Sequence, residues 1–274
     1  MAFPPLAWAL IFVIGSMVGS FLNVCIHRLP RDQSIVFPAS HCPACRHPIA
    51  WFDNIPVLSF LLLRGRCRYC RRTIHWRYPV VELAAALAAI AVVARFGLTA
   101  AAAVYFAFVC ALTVVSFVDL EFQIIPDEIS LGGLVVGVAL CAALPSLQET
   151  ASRPLAVGRS LIGVLVGGGV LYVTGLLGDF IFRKESMGGG DIKLLAMAGS
   201  ILGWKLVLLT FFIAPIFALI PGLTVLLLKR SHIIPYGPFL SIGLVAALFA
   251  GNDLLHVTGM EETIRLIWSY YRLW

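Results

Sequence analysis

Long apolar blocks recur in this chain from one end of the sequence to the other. A transmembrane helix needs roughly 20 consecutive apolar residues, and several blocks approach or exceed that length. Charged residues make up only 12% of the 274 residues, about half the fraction found in a typical soluble domain. One water-soluble core cannot bury so many uninterrupted apolar segments. The sequence therefore predicts an integral membrane protein.

The apolar blocks predict an all-α, polytopic membrane protein with about eight transmembrane helices. We expect these helices at 6–26, 79–94, 98–118, 128–144, 159–182, 191–203, 205–228 and 236–250. The first block has no basic residue before it and no clear cleavage site after it, so we expect a retained span rather than a signal peptide. The predicted regions are the first transmembrane helix (1–26), a polar loop domain (27–78), a transmembrane core (79–250) and a C-terminal tail (251–274). The aromatic residues of that tail, Trp268, Tyr270, Tyr271 and Trp274, suit a membrane interface.

The distribution of basic residues predicts the orientation of the helices. With both termini outside, 14 of the 20 Lys and Arg residues fall on the cytoplasmic side and six on the other, which fits the excess of positive charge in cytoplasmic loops. The cytoplasmic set is Arg28, Arg31, Arg46, Arg64, Arg66, Arg68, Arg71, Arg72, Arg77, Arg183, Lys184, Lys193, Lys229 and Arg230. Because these residues lie between apolar blocks and not on one soluble face, the net charge of +6 indicates topology and not nucleic-acid binding.

Three GxxxG spacings occur inside predicted helices, at Gly15/Gly19, Gly133/Gly137 and Gly163/Gly167. Small residues four apart allow two helix backbones to approach closely in a membrane. We interpret these spacings as packing features without a chemical role.

Two CxxC pairs lie in the polar loop, Cys42/Cys45 and Cys67/Cys70, with 21 residues between them. Two such pairs can supply four thiolates to one tetrahedral zinc ion, and a loop of about 50 residues has too small a core to fold unaided. The alternative is a pair of disulfide-bonded or redox-active motifs, which a cytoplasmic location disfavours. The other three cysteines, Cys25, Cys110 and Cys141, are predicted to be small core residues.

Two acidic residues are candidates for catalysis because an even number of membrane crossings separates them, which places both at the same membrane face. Asp119 ends the third predicted helix, Asp191 opens the sixth after Gly188-Gly189-Gly190, and two helices lie between them. Two close carboxylates can share a proton, so that one activates water while the other polarises a carbonyl. The glycines would let a substrate or backbone approach. Alternatively, Asp191 is a helix N-cap, as we expect for Asp127, and Asp119 is an interfacial carboxylate.

Other acids and familiar motifs narrow the chemistry less. Glu82 could bind a substrate amine, and Asp179 could anchor a helix at the interface. No HExxH motif is present, which weakens a metalloprotease interpretation. No GxGxxG follows a predicted strand, so the sequence shows no dinucleotide-type methyltransferase domain.

The ordered motifs resemble those of the bacterial type IV prepilin peptidases, also called prepilin leader peptidase/N-methyltransferases. The resemblance covers nearly the whole chain. Its motifs are Gly19-Ser20-Phe21-Leu22-Asn23-Val24, Arg28-Leu29-Pro30, the two CxxC pairs, Trp51-Phe52-Asp53-Asn54-Ile55-Pro56, Arg77-Tyr78-Pro79-Val80-Val81-Glu82, Asp119-Leu120, Ile125-Pro126-Asp127, Gly188-Gly189-Gly190-Asp191, Lys193-Leu194 and Ile234-Pro235-Tyr236-Gly237-Pro238-Phe239.

The resemblance implies a GxGD-type intramembrane aspartyl protease of the bacterial inner membrane, with 79–250 as the peptidase core. It implies that Asp119 and Asp191 are catalytic, supported by Gly188, Gly190 and Lys193. The expected substrates are type IV prepilins and type II secretion pseudopilins, cut on the cytoplasmic side. It also implies N-methylation of the new N-terminus with S-adenosylmethionine, with Glu82 a candidate for that step. Two alternatives stay open, a peptidase without methyltransferase activity and a zinc-stapled membrane scaffold or transporter.

Overall fold

The computed structural model describes residues 3–184, 187–229, 235–260 and Glu262. The chain divides into two compact units, Met1–Phe122 and Gln123–Trp274. Within the described residues every regular element is helical, apart from two isolated β-bridges in the polar loop. The predicted all-α class is therefore confirmed.

The first unit contains three long helices and the polar loop. Helix α1 runs over Pro5–Arg28, α3 over Arg77–Phe96 and α4 over Ala100–Phe122. Helix α1 packs chiefly along α3, and α4 contacts both. The polar loop lies between α1 and α3 and contains one short helix, α2 (Leu58–Leu62), with 3₁₀ turns at Leu29–Arg31 and Trp51–Asn54.

The second unit is built around one long helix, α7 (Gly189–Lys229). Helices α5 (Asp127–Ala143), α6 (Arg153–Phe182) and α8 (Gly237–Val257) all pack against it, α6 most extensively. A 3₁₀ turn at Pro145–Gln148 joins α5 to α6. The side chain of Gln148 is buried there and donates to the carbonyls of Ser200 and Ile201 in α7.

Six helices of the described residues are long and apolar enough to cross a membrane: α1, α3, α4, α6, α7 as far as Leu219, and α8. Helix α5 has 17 residues and is not among them. The membrane-spanning character predicted from the sequence is confirmed, whereas the predicted number of eight spans is not.

The sixth and seventh predicted helices follow each other within α7 and meet at a kink at Gly203. Gly203 has a φ of 77° and a ψ of 170°, outside the helical region, while the residues on both sides are helical. Glycine reaches this conformation without steric cost because it lacks a Cβ atom. The predicted boundary between the sixth helix (191–203) and the seventh (205–228) is therefore confirmed within one or two residues.

Helices α6 and α8 also differ from their predicted limits. Helix α6 begins at Arg153, six residues before the predicted start, because Pro154 in its first turn favours helix initiation and Arg159 does not interrupt it. The guanidinium of Arg159 donates to the carbonyl of Gln148. Helix α8 continues to Val257, so the predicted tail begins with helix. The aromatic residues of the tail, 268–274, lie outside the described residues.

All three GxxxG spacings lie at close helix contacts, as predicted. A Cβ atom on Gly15 or Gly19 would lie 2.8 or 2.6 Å from a backbone Cα of α3. On Gly133 it would overlap Met197, and on Gly137 it would overlap Ser200, both in α7. The closest approach joins α6 to α7, where a Cβ on Gly163 would lie 2.0 Å from the carbonyl oxygen of Gly199.

We expect Gly163→Ala to lower the free energy of unfolding by roughly 1–3 kcal/mol, since the new methyl group forces α6 and α7 apart. The measurement is the thermal unfolding midpoint of the protein in detergent. Gly169→Ala is the matched control, because Gly169 lies in the same helix with no atom within 4 Å of its Cβ position. Equal midpoints for the two variants would contradict the close contact.

Candidate functional site

The polar loop forms two knuckles with the same backbone geometry, 25 residues apart. In the first, the amide of Cys42 donates to the carbonyl of His47 at 2.9 Å, and in the second the amide of Cys67 donates to that of Arg72 at 2.9 Å. The residue after each second cysteine, Arg46 or Arg71, has a left-handed φ of 58° or 59°. Each knuckle is thus a tight turn that directs two thiols to the same side.

The four knuckle cysteines come together in one cluster, as the spacing predicts. All four Sγ atoms lie within 4.8 Å of one another, and the Sγ atoms of Cys42 and Cys70 are 3.8 Å apart. A tetrahedral zinc site with Zn–S bonds of about 2.3 Å has S–S edges of about 3.8 Å. All seven cysteines are free thiols, so the disulfide alternative finds no support. The cluster can hold a metal ion and fits zinc.

The turn backbone prepares one of these thiols to bind a cation. Burial raises the pKa of Cys42, but hydrogen bonds from the backbone of Cys45 and Ala44 and from neighbouring thiols lower it to about 7. A backbone hydrogen bond from His47 lowers the pKa of Cys45, but desolvation and the neighbouring sulfur atoms raise it to about 11.

Two polar contacts fix the loop to itself and to the helices. The guanidinium of Arg68, beside the second knuckle, donates to both oxygens of Asp53, with Nε 2.7 Å from Oδ2. These hydrogen bonds and the positive charge of Arg68 hold the pKa of the Asp53 carboxyl below its usual range. In α3, the buried carboxylate of Glu82 accepts a hydrogen bond from the amide of Val57 at 2.7 Å.

The contact at Glu82 supports an unusual backbone conformation. Val57 has a φ of 62°, a strained conformation for a β-branched side chain. Glu82 holds the Val57 amide and contacts Ser20 of α1, so its carboxylate links both helices to the loop. A role for Glu82 in binding a substrate amine stays a prediction. The structure gives it a local structural function.

Asp119 lies in the last turn of α4, in the first unit. It lies at the end of that unit from which the polar loop extends. Its side chain is buried, with 7% of its surface exposed. Helix α4 continues to Phe122, beyond the predicted end at 118, because Glu121 is bound by Arg77 of α3 and lies 4.0 Å from Arg31. These ion pairs place Asp119 at the same end of the unit as the start of α3 and the end of α1.

Asp191 lies in the first turn of α7 in the second unit and is half-buried. Its amide is 3.2 Å from the carbonyl of Gly188. A Cβ atom on Gly190 would lie 3.0 Å from the side chain of Ile125, which explains a glycine at that position. Because α7 begins at Gly189, Asp191 is not the N-cap residue of the helix.

Lys193 supports the start of α7 through an ion pair within the second unit. Its ammonium lies 2.7 Å and 3.0 Å from the two carboxylate oxygens of Asp127. The prediction that Asp127 caps α5 is wrong. Pro126 occupies the N-cap position, Asp127 is the first helical residue, and its carboxylate binds Lys193 instead.

Tyr236 was not predicted as a site residue, whereas Glu121 was expected near the site as an acidic residue that offsets the basic loop. Burial and the negative charge of Asp191 raise the pKa of Tyr236 to about 12, so the phenol lies in the electrostatic field of that carboxylate. Glu121 follows Asp119 by two residues and binds two arginines. A signal for Tyr236 was its place in the Ile234–Phe239 motif, which gave no role to individual residues.

The remaining cysteines are buried core residues, as predicted. Cys25 and Cys110 are 8% and 6% exposed, and Cys141 is fully buried. The thiol of Cys141 lies 3.2 Å from the carbonyl oxygen of Ser200. None of the three belongs to the metal cluster.

Comparison with known proteins covers both units. Residues 13–96 match the family model described as the bacterial Peptidase A24 N-terminal domain, and residues 106–223 match the type IV leader peptidase family. No solved structure matches the chain.

Similar curated proteins carry the name prepilin leader peptidase/N-methyltransferase. The protein of Myxococcus xanthus is 40% identical over 82% of this chain and 65% of its own length. That of Aeromonas hydrophila is 34% identical over 92% of this chain and 93% of its own length. That of Stutzerimonas stutzeri is 34% identical over 93% and 94%. With the four-cysteine cluster and the apolar helices, these matches show that the chain belongs to the type IV leader peptidase family.

Proposed function

We propose that this enzyme removes the leader peptide of type IV prepilins or type II secretion pseudopilins and then methylates the new N-terminal amine. In this proposal Asp119 and Asp191 form the catalytic carboxylate pair. Membership of the type IV leader peptidase family supports prepilin cleavage and N-methylation, since relatives that align over most of the chain are named for both activities. The same membership favours an enzyme over the scaffold or transporter alternative.

The observation that carries the proposed pair is the burial of Asp119 at the end of an apolar helix. Asp119 and Glu82 are the two buried acidic residues among those that the structure describes. The carboxylate of Glu82 binds the amide of Val57 in the loop. Burying a carboxylate is costly, and such groups are concentrated at functional sites. Asp191 supports the proposal because it follows three glycines at the start of α7.

The proposed reaction needs only the two carboxylates and a water molecule. When the pair shares one proton, the ionised carboxylate takes a proton from water as the oxygen attacks the scissile carbonyl carbon. The protonated carboxyl group donates to the carbonyl oxygen, which stabilises the tetrahedral intermediate. The C–N bond then breaks, and a proton passes to the leaving amine, so the pair returns to its shared state. Neither a metal ion nor a covalent intermediate takes part.

The depth of the proposed site suits the substrate. A prepilin has a polar leader followed by an apolar helix, so the bond between them lies at a membrane boundary. Asp119 lies one turn from the end of a spanning helix. A carboxylate at that position can reach the bond while the substrate helix stays in the bilayer.

We propose that the cysteine cluster holds a structural zinc ion. The 3.8 Å separation of Cys42 and Cys70 fits the edge of a zinc–thiolate tetrahedron. Four thiolates leave no open coordination position for a catalytic water, so the metal would stabilise the loop without taking part in hydrolysis.

The methyl donor in this proposal is S-adenosylmethionine, which supplies an electrophilic methyl group. The family's methyltransferase activity supports this choice. The chain's contribution would be to hold the new N-terminal amine unprotonated beside the donor. Glu82 is the proposed amine-binding residue, and an incoming amine would have to displace the Val57 amide from its carboxylate.

We propose that the loop and both aspartates face the cytoplasm and that both termini face the periplasm. The excess of Lys and Arg in the connections on that side supports this orientation. An inner-membrane location agrees with the family and with the six apolar helices.

Mass spectrometry of a reaction product tests both proposed activities. Detergent-purified protein is incubated with a prepilin and S-adenosylmethionine, and the mature product is weighed. We expect cleavage at the leader boundary and the mass of one added methyl group on the new N-terminus. A product that is cleaved but not methylated would support the proposed peptidase activity and contradict the proposed methyltransferase activity. An intact prepilin would contradict both proposed activities.

A further inference from the structure

The polar loop carries more positive charge than the chain as a whole. Residues 27–78 contain nine arginines and two aspartates, a formal net charge of +7, against +6 for the full sequence. One of the two aspartates, Asp53, is already bound by Arg68. The loop therefore has almost no acidic groups of its own to balance its arginines.

Most of these arginines point into solvent. The exposed set that makes no ion pair within the described residues is Arg46, Arg64, Arg66, Arg71 and Arg72. They lie in and between the two knuckles, which the four-cysteine cluster brings together in one small domain. A cluster of basic side chains without ion-pair partners favours the binding of a negatively charged partner surface.

The same domain exposes large apolar side chains. Leu58, Leu61 and Leu62 of α2 are 48%, 65% and 74% exposed. Their spacing of three and four residues places them on one face of the helix. Trp51, on the turn before α2, is 82% exposed. An exposed patch of several leucine and tryptophan side chains is unfavourable in water and therefore indicates an interaction surface.

The bilayer is the partner that fits both features. The loop is tied at each end to a membrane-spanning helix, by Arg28 at the end of α1 and Arg77 at the start of α3. Arg31 and Arg77 both reach Glu121 of α4, which keeps these ends together. The domain is therefore held at the membrane surface, where basic residues bind anionic headgroups and tryptophan favours the interfacial layer.

We propose that the metal-binding loop domain lies on the membrane surface, with its free arginines bound to anionic phospholipid headgroups and with Trp51 and the α2 leucines inserted between them. An acidic protein partner would satisfy the arginines but not the exposed apolar face. Lipid supplies both a negative charge and an apolar layer.

This docking explains how a basic leader can approach an arginine-rich domain. Arginines that are neutralised by phospholipid no longer repel the leader, because screened charges act over a short range. This consequence rests on the proposed function, whereas lipid binding does not.

Hydrogen exchange in nanodiscs tests the proposal on the full-length, metal-loaded protein. Discs of phosphatidylcholine alone are compared with discs that also contain phosphatidylglycerol. We expect amide exchange in residues 46–52 and 58–72 to slow about tenfold in the anionic discs and to recover at high salt. Residues 97–99, in the connection between α3 and α4, serve as the internal control and should exchange equally in both.

A matched pair of variants identifies the contribution of the loop arginines. Arg66→Gln/Arg72→Gln removes two free cations from the loop, and Arg95→Gln/Arg153→Gln removes two arginines that lie outside the loop. The first variant should lose most of the lipid-dependent protection while keeping its metal, and the second should behave as the unmodified protein. The proposal would be overturned if the loop amides exchanged at equal rates in both kinds of disc. It would also be overturned if their protection depended neither on anionic lipid nor on the loop arginines. Cleavage activity is not measured, so a failure here would leave the proposed function untouched.

Discussion

Asp191→Asn and Asp119→Asn are each expected to lower kcat/KM for prepilin cleavage by at least about a thousandfold. Asparagine keeps the shape of aspartate but can neither take a proton from water nor share one with the partner carboxylate. In the proposed mechanism the two groups act as a unit, so the double variant should be hardly slower than either single variant. The measurement is the initial rate of leader removal from a purified prepilin.

The control is an aspartate of the same chain that has no proposed role. Asp253 lies exposed in α8 of the second unit, so Asp253→Asn should cleave within about twofold of the normal rate. Thermal midpoints of all variants separate lost chemistry from lost folding. A normal cleavage rate in either single variant at position 119 or 191 would remove that residue from the mechanism.

The sequence predicted the helix contacts well where a local pattern decides them. Glycines four apart have no alternative to close packing inside an apolar helix, and all three pairs lie where a Cβ atom would overlap a neighbouring helix or its side chains. The cysteine cluster was predictable for a similar reason, because two CxxC turns can converge on one metal. The structure confirms the convergence at 3.8 Å between Cys42 and Cys70.

Helix ends were less predictable because tertiary contacts decide them. Hydropathy stopped the third helix at residue 118, but the Arg77–Glu121 ion pair keeps α4 helical to Phe122. The boundary between the sixth and seventh predicted helices was predicted more closely, since two helices meet at the kink at Gly203. The count of candidate spans differs from eight because α5, with 17 residues, is not among them and the two parts of α7 count as one.

Hydrogen bonds and ion pairs between residues that are distant in the sequence were the least predictable part of the site. Asp127 fits the rule for an N-cap, yet its carboxylate binds Lys193, 66 residues away. Glu82 was considered as an amine ligand, yet its carboxylate holds the amide of Val57 in a strained conformation. A single sequence carries no signal for such pairings, because they depend on which helices become neighbours. The convergence of Asp119 and Asp191 is a pairing of this kind and stays a prediction.

Cys42→Ser should eliminate metal binding and unfold the loop domain. Metal analysis should find about one zinc ion per chain in the unmodified protein and none in the variant. Structural zinc contributes about 10 kcal/mol or more to the folding of small domains of this kind, far more than the few side-chain contacts within the loop. Hydrogen exchange over residues 40–75 should therefore rise to the rate of an unfolded chain.

The matched control is Cys110→Ser, which removes a buried thiol of α4 that does not belong to the cluster. It should keep its zinc and the protection of the loop. Because four thiolates leave the metal no open position, leader cleavage by Cys42→Ser should stay far above that of Asp191→Asn, while methylation should fall with the folded loop. If Cys42→Ser lost cleavage as completely as Asp191→Asn with its helices intact, the metal would belong to the hydrolytic site. A metal-free protein with a protected loop would instead show that the knuckles fold through their backbone and the Arg68–Asp53 pair alone.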